Sequence, residues 1–274
     1  MADTPLESLL RRDRVLVMAA ITASAALAWA YILFLAHRMA ADAAMAAMPG
    51  MDAMPGMAAM APAIQPWSLT DYIFTAVMWI VMMIGMMLPS AAPIILLYAR
   101  VGRTARQKPF AATGWFAAGY FLAWTLFSCA AALGQTALST LALLTPMLKS
   151  TNDILGGAVL VAAALYQWSP LKTACLSKCQ APLQFIQQHG GFRPGIGPSL
   201  LLGLRHGLYC VGCCWALMLL LFVGGVMNIA WIAGLSVLVL LEKLRQGRIA
   251  ARLAGAIALA GGLYLLQQGL LHPG

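Results

Sequence analysis

The sequence predicts an all-α fold, a polytopic bundle of transmembrane helices, and three observations carry that prediction. Of 274 residues 62% are hydrophobic and only 9% charged, a balance too apolar for a chain that merely hides one core from water. The apolar residues come in runs, most of them long enough to cross a hydrocarbon layer about 30 Å thick. The basic residues, in turn, collect in four clusters that alternate with those runs. Read by length, the runs give seven spans, at about residues 15–36, 72–99, 110–142, 154–168, 199–223, 229–241 and 249–266. The fourth and sixth are short and the third is long, so six to eight spans fit the pattern.

The first run follows Arg11, Arg12 and Arg14. A cleaved secretory signal has this layout, but the run is longer than a signal core and no small-x-small site ends it, which favours an uncleaved anchor. Arg100, Arg103, Arg106 and Lys108 follow the second run, Lys172, Lys178 and Arg193 the fourth, and Lys243, Arg245 and Arg248 the sixth. With seven spans all four clusters fall on one side, which the positive-inside rule makes the cytoplasm. The N-terminus is then cytoplasmic and the C-terminus external. The net charge of +9 follows from this rule and from attraction to the inner leaflet, so the lipid bilayer is the partner it implies and nucleic acid is not. The chain divides into residues 1–38 (cytoplasmic N-terminus and first anchor), 39–70 (external loop) and 71–268 (the bundle, with a cytoplasmic cysteine-containing loop at 169–196).

The external loop carries Met45, Met48, Met51, Met54, Met57 and Met60, one methionine at every third position, interrupted by two Pro-Gly pairs that oppose a stable helix. Thioethers prefer soft Cu(I) and need not lose a proton to bind it. They also form no disulfides, which suits an oxidising compartment. Six donors at this period make an exchangeable external capture site; the alternative is an alanine-rich spacer in which methionine is one more apolar residue.

Inside the bundle, the second span bears Met78, Met82 and Met86 along one helical stripe, with Pro89 and Pro93 in the same span. Methionine also fills irregular packing gaps, so packing alone accounts for such a stripe. Each proline frees a backbone carbonyl that must find a partner within the protein. The fifth span holds His206, Cys210, Cys213 and Cys214 on one face, a costly set in lipid that must face the bundle and points to metal or redox chemistry. Counted from either membrane entry, Met82, Met86, Cys210 and Cys213 lie near the midplane. If the second and fifth spans pack together, sulfur from both surrounds one cavity. Cys129, alone in the third span, reads as core. In the cytoplasmic loop Cys175 and Cys179 sit one helical turn apart, close enough to share an ion. Arg205 lies within the fifth span, where Glu242, at the inner end of the sixth, is its candidate ion-pair partner. Asn228 is placed to cap a helix or hydrogen-bond across the outer ends.

Five strings, Met82-Met83-Ile-Gly-Met86-Met87-Leu-Pro89-Ser90, Tyr166-Gln167-Trp-Ser-Pro170-Leu-Lys172 with Cys175 and Cys179, Cys210-Val-Gly-Cys213-Cys214-Trp215-Ala-Leu-Met218, Gly225-Val-Met227-Asn228 and Glu242-Lys243, resemble the bacterial family called domain of unknown function 2182. The resemblance covers roughly residues 70–260, and the cysteine string is its most specific part. It implies a metal-binding protein of the bacterial inner membrane, in some members a copper chaperone, and adds Met218 to the candidate ligands. The first span and the methionine loop fall outside it.

These readings converge on Cu(I) capture followed by relay or delivery, with zinc as the other ion that a thiolate and imidazole set accepts, and with a cuproenzyme or a periplasmic metal carrier as the partner. A transmembrane thiol-disulfide electron carrier and a non-catalytic subunit of a larger membrane enzyme are the competing readings. No phosphate-binding loop and no converging Ser, His and Asp set is present, so the sequence does not predict an enzyme acting alone.

Overall fold

The computed structural model describes residues 5–46, 68–104, 109–141, 153–192, 195–244 and 247–271. Its regular structure is entirely helical: α1 (Pro5–Ala46), α2 (Leu69–Thr104), α3 (Pro109–Thr140), α4 (Asp153–Gln167), α5 (Pro170–Gln180), α6 (Pro182–Gln188), α7 (Ile196–Leu219), α8 (Leu221–Gly224), α9 (Ile229–Lys243) and α10 (Gly247–Leu271). The methionine run from Met48 to Met60 lies outside the described residues, while Met45 sits exposed in the last turn of α1.

Several helix starts follow from local chemistry. Ser68 and Asp71 satisfy each other's backbone N–H groups, a capping box at the head of α2. Ser169 accepts from the Lys172 N–H ahead of Pro170, and Asn228 accepts from the Trp231 N–H at the head of α9. Within α2, Pro89 has no N–H to give the Gly85 carbonyl four residues back, and the Trp29 indole of α1 donates to that oxygen at 3.2 Å. The proline thus creates the acceptor that ties α1 to α2.

Among the described residues five helices are long and apolar enough to cross a membrane, or six if α4 and α5, bent by 64° at their junction, count as one broken span. The all-helical bundle is the expected one, and a count of six falls within the six to eight spans that the sequence allows. The 15 residues of α9 extend about 22 Å, less than the hydrocarbon thickness. The segment at 169–196 is no simple loop: α5 and α6 occupy most of it and pack into the bundle.

Two helix pairs come together at backbone distance. On α3 and α7, a Cβ added to Gly119 would overlap the Leu200 carbonyl, and one added to Gly203 would overlap the Phe116 carbonyl. The antiparallel pair α4 and α10 is closed in the same way by Gly157 and Gly262. Small residues of this kind let helices approach where no side chain intervenes. Around these pairs α2 packs on α1, α3 and α9, and α5 lies across α7.

Candidate functional site

The close seam between α3 and α7 sets the site. Gly203 and Gly207 bring α7 against Phe116 and Tyr120, so the next turn of α7 places the Cys210 thiol 3.2 Å from the Tyr120 hydroxyl. Cys210, Cys213 and Cys214 are all buried. The Sγ atoms of Cys213 and Cys214 are 3.2 Å apart, and the Cys213 thiol donates to the Cys210 carbonyl.

Helix α5 adds two more sulfurs. Cys179 Sγ lies 4.0 Å from Cys213 Sγ, and Cys175 Sγ lies over Gly212, where an added Cβ would meet it at 2.9 Å. The Tyr166 hydroxyl donates to the Gly212 carbonyl and fixes the end of α4 on the same turn. The pair read from sequence as a separate cytoplasmic site therefore belongs to the α7 cluster. A spacing of four residues cannot reveal that the helix carrying it folds back onto another.

Lys243, at the end of α9, reaches the centre from a third direction. Its ammonium donates to Cys210 Sγ at 3.0 Å and to Ser90 Oγ of α2 at 2.6 Å; Ser90 in turn donates to the Met87 carbonyl. An ammonium here supplies the positive charge that a thiolate in a low-dielectric interior requires. In the sequence, Lys243 belongs to a topology-setting cluster and, like Ser90, to a string that carries the family resemblance, whereas nothing marks Tyr120, and no role for any of the three follows from its segment alone. The neighbouring Glu242-Lys243 string was the available signal, since two ionisable residues closing an apolar helix are costly unless both are paired.

Glu242 faces the other way. One carboxylate oxygen accepts from the Lys172 ammonium at 2.7 Å and the other from the Gln167 amide at 3.0 Å, while Gln180 donates to the carbonyls of Glu242 and Leu244. The lysine and glutamate side chains are 2% and 1% exposed. The expected pairing of Arg205 with Glu242 is therefore corrected. Arg205 lies on the exposed face of α7, whereas Lys172 brings its charge from α5, an element that sequence alone left as loop.

His206 is buried one turn below Cys210, its ring stacked on Tyr120 at 5.9 Å and meeting Phe185 edge-on at 5.0 Å. Its Nδ1 has no hydrogen-bond partner. Met82, Met86 and Met218 are buried in the core. The condition that the second span meet the fifth is satisfied at one point, where the Tyr98 hydroxyl of α2 donates to Ser199 of α7 at 3.0 Å; elsewhere α2 is joined to α7 through α3, α9 and the Lys243 bridge. Cys129 stands apart on α3, its carbonyl accepting from Tyr72.

Among the described residues no group of three or more His, Cys, Asp or Glu side chains is already arranged to hold a metal ion. What the cluster offers is sulfur pairs. A metal at about 2.3 Å from each sulfur would subtend roughly 120° between Cys179 and Cys213, but only about 90° between Cys213 and Cys214, whose 3.2 Å separation is too tight. The inter-helix pair is thus the better seat for a soft ion of low coordination number, with Cys210 or Cys214 in reach as a third donor after a small shift.

A protein-family model described as "PpoB2: Copper chaperone" matches residues 76–265. No curated protein and no solved structure matches the chain.

Proposed function

The chain belongs to the PpoB2 copper chaperone family, and from that premise we propose that it is an integral membrane protein that carries Cu(I) on the thiols of α5 and α7. The observation that carries this reading is the meeting of Cys179 and Cys213 at 4.0 Å across two helices, beside a Cys210 thiol held by Lys243. Thiolates select Cu(I) over harder ions. Two thiolates around one Cu(I) leave a single negative charge, and Lys243 balances it within the protein. Each thiol that binds gives up a proton, so loading releases protons and is favoured by rising pH.

In this reading the methionine segment faces the outside and acts as the entry. Its thioethers bind without proton loss and release readily, whereas the buried thiolates bind far more tightly, so the ion moves inward along rising affinity. In this reading the buried Met82, Met86 and Met218 serve as intermediate soft donors, and His206 offers an unpartnered ring nitrogen one turn from Cys210. The N-terminus is placed in the cytoplasm of a bacterial inner membrane, with a cuproenzyme or a periplasmic carrier as the recipient.

The test is the Cu(I) stoichiometry of protein purified in detergent under anaerobic reducing conditions. Wild type is expected to retain copper, a Cys210/Cys213/Cys214→Ser triple variant to lose it, and Cys179→Ser to weaken it. A chain that binds no Cu(I) in any form, but in which Cys179 and Cys213 crosslink under mild oxidation, would overturn the copper reading in favour of thiol-disulfide electron transfer. The 4.0 Å separation already favours that second chemistry over any pairing within α7, where adjacent cysteines are strained.

A further inference from the structure

Away from the thiols, α4, α5 and α10 enclose a second and very different cavity of about 450 Å³, lined by Gln167, Trp168, Lys172, Thr173, Arg248 and Arg252. Lys172 is neutralised by Glu242. Arg248 and Arg252, one turn apart on α10, are exposed, and among the described residues neither guanidinium has an acidic partner. Arginines are common at the ends of membrane helices, but that alone does not account for what stands opposite them. Gln167 is buried, its amide N–H committed to Glu242, and its carbonyl oxygen has no hydrogen-bond donor. Turning the amide over would set that oxygen against the Glu242 carboxylate, so the acceptor stays unpaired. The cavity therefore displays two cations for an anion, while the unpaired Gln167 oxygen lies buried behind its wall.

The surroundings say what kind of molecule brings both. Ile249, Leu253 and Ile257 form an exposed apolar stripe at four-residue spacing on the same helix as the arginines, and Trp168 stands half-exposed at the rim. An anion next to an apolar stripe is the outline of an amphiphile, and an indole at the boundary is the usual marker of the headgroup level. Resting on the membrane reading above, we infer that this cavity holds the headgroup of an anionic glycerophospholipid, with its phosphate between Arg248 and Arg252 and its acyl chains along Ile249, Leu253 and Ile257.

The experiment uses the full chain reconstituted with equimolar phosphatidylglycerol and phosphatidylcholine, followed by delipidation and native mass spectrometry of what stays bound. Wild type is expected to retain phosphatidylglycerol at about thirtyfold preference, given two basic contacts. Arg248→Gln/Arg252→Gln should lose that preference with Cu(I) stoichiometry unchanged, and Arg248→Lys/Arg252→Lys should keep most of it. Equal retention of both lipids by wild type, or undiminished preference in the glutamine variant, overturns the inference. Displacement of phosphatidylglycerol by an equal concentration of inorganic phosphate would reassign the cavity to a free anion and overturn the lipid assignment. Recovery of the protein in the aqueous phase without detergent would instead sink the membrane reading itself, whatever the cavity binds.

Discussion

Replacing Lys243 with methionine keeps the length of the side chain and removes its charge from the thiol cluster. At the observed 3.0 Å between Nζ and Cys210 Sγ, two opposite unit charges interact by about 5.5 kcal/mol at an effective dielectric of roughly 20. Lys243 is only partly buried, so solvent and relaxation around the site reduce this to about 3 kcal/mol, which is roughly a hundredfold in Kd. The loss should appear in the affinity for Cu(I) and not in stoichiometry, because no sulfur has been removed. Anaerobic competition against a chromophoric Cu(I) chelator measures it directly. Lys243→Arg, which keeps the charge, should stay within about tenfold of wild type despite its larger fork. A Lys243→Met protein with unchanged helix content and a Kd within threefold of wild type would refute the charge-balance argument and reduce Lys243 to a packing residue.

Three further outcomes follow from the same geometry. Lys172→Met or Glu242→Gln alone leaves one buried group without its partner and should lower stability by about 3–5 kcal/mol, while Lys172→Met with Glu242→Leu should recover most of it; denaturant titrations of tryptophan fluorescence compare the three, and a double variant as weak as the sum of the singles would count against the pair. Gly203→Ala puts a methyl on the Phe116 carbonyl, must push α3 off α7, and is expected to cost about 1–3 kcal/mol together with faster thiol labelling of Cys210 as Tyr120 withdraws. Unchanged labelling and stability would mean that the seam yields elsewhere. Deleting residues 45–60 should slow Cu(I) loading in stopped-flow mixing without changing the number of buried copper equivalents, whereas a loss of equivalents with normal loading would place a storage site in the loop.

The helical class, the apolar spans and the burial of Cys210, Cys213 and Cys214 could be read from the sequence, because each is a property of one segment: a run length, a period, a face. The apolar composition of α9, by the same token, says nothing of where its polar end lands. Lys243, Tyr120 and Ser90 join the site from three helices that periodicity cannot pair. Glu242 was recognised as needing a cation, and the right one sits 70 residues away on α5 rather than on the facing span. Cys175 and Cys179 were legible as candidate ligands but not as neighbours of Cys213, since that depends on the 64° turn between α4 and α5.

The glycine contact of α4 with α10 has a consequence for how the molecule is made. Gly157 and Gly262 are separated by most of the second half of the chain, and both the Lys172–Glu242 pair and the Lys243–Cys210 contact also await α9. During synthesis, α5 and α7 therefore emerge with their five thiols before the helices that enclose and charge-balance them exist. Contacts so distant in sequence form late. The newborn chain is consequently at its most vulnerable to oxidation just before α9 docks, and the order of assembly makes a reducing environment around α5 and α7 a requirement of biogenesis.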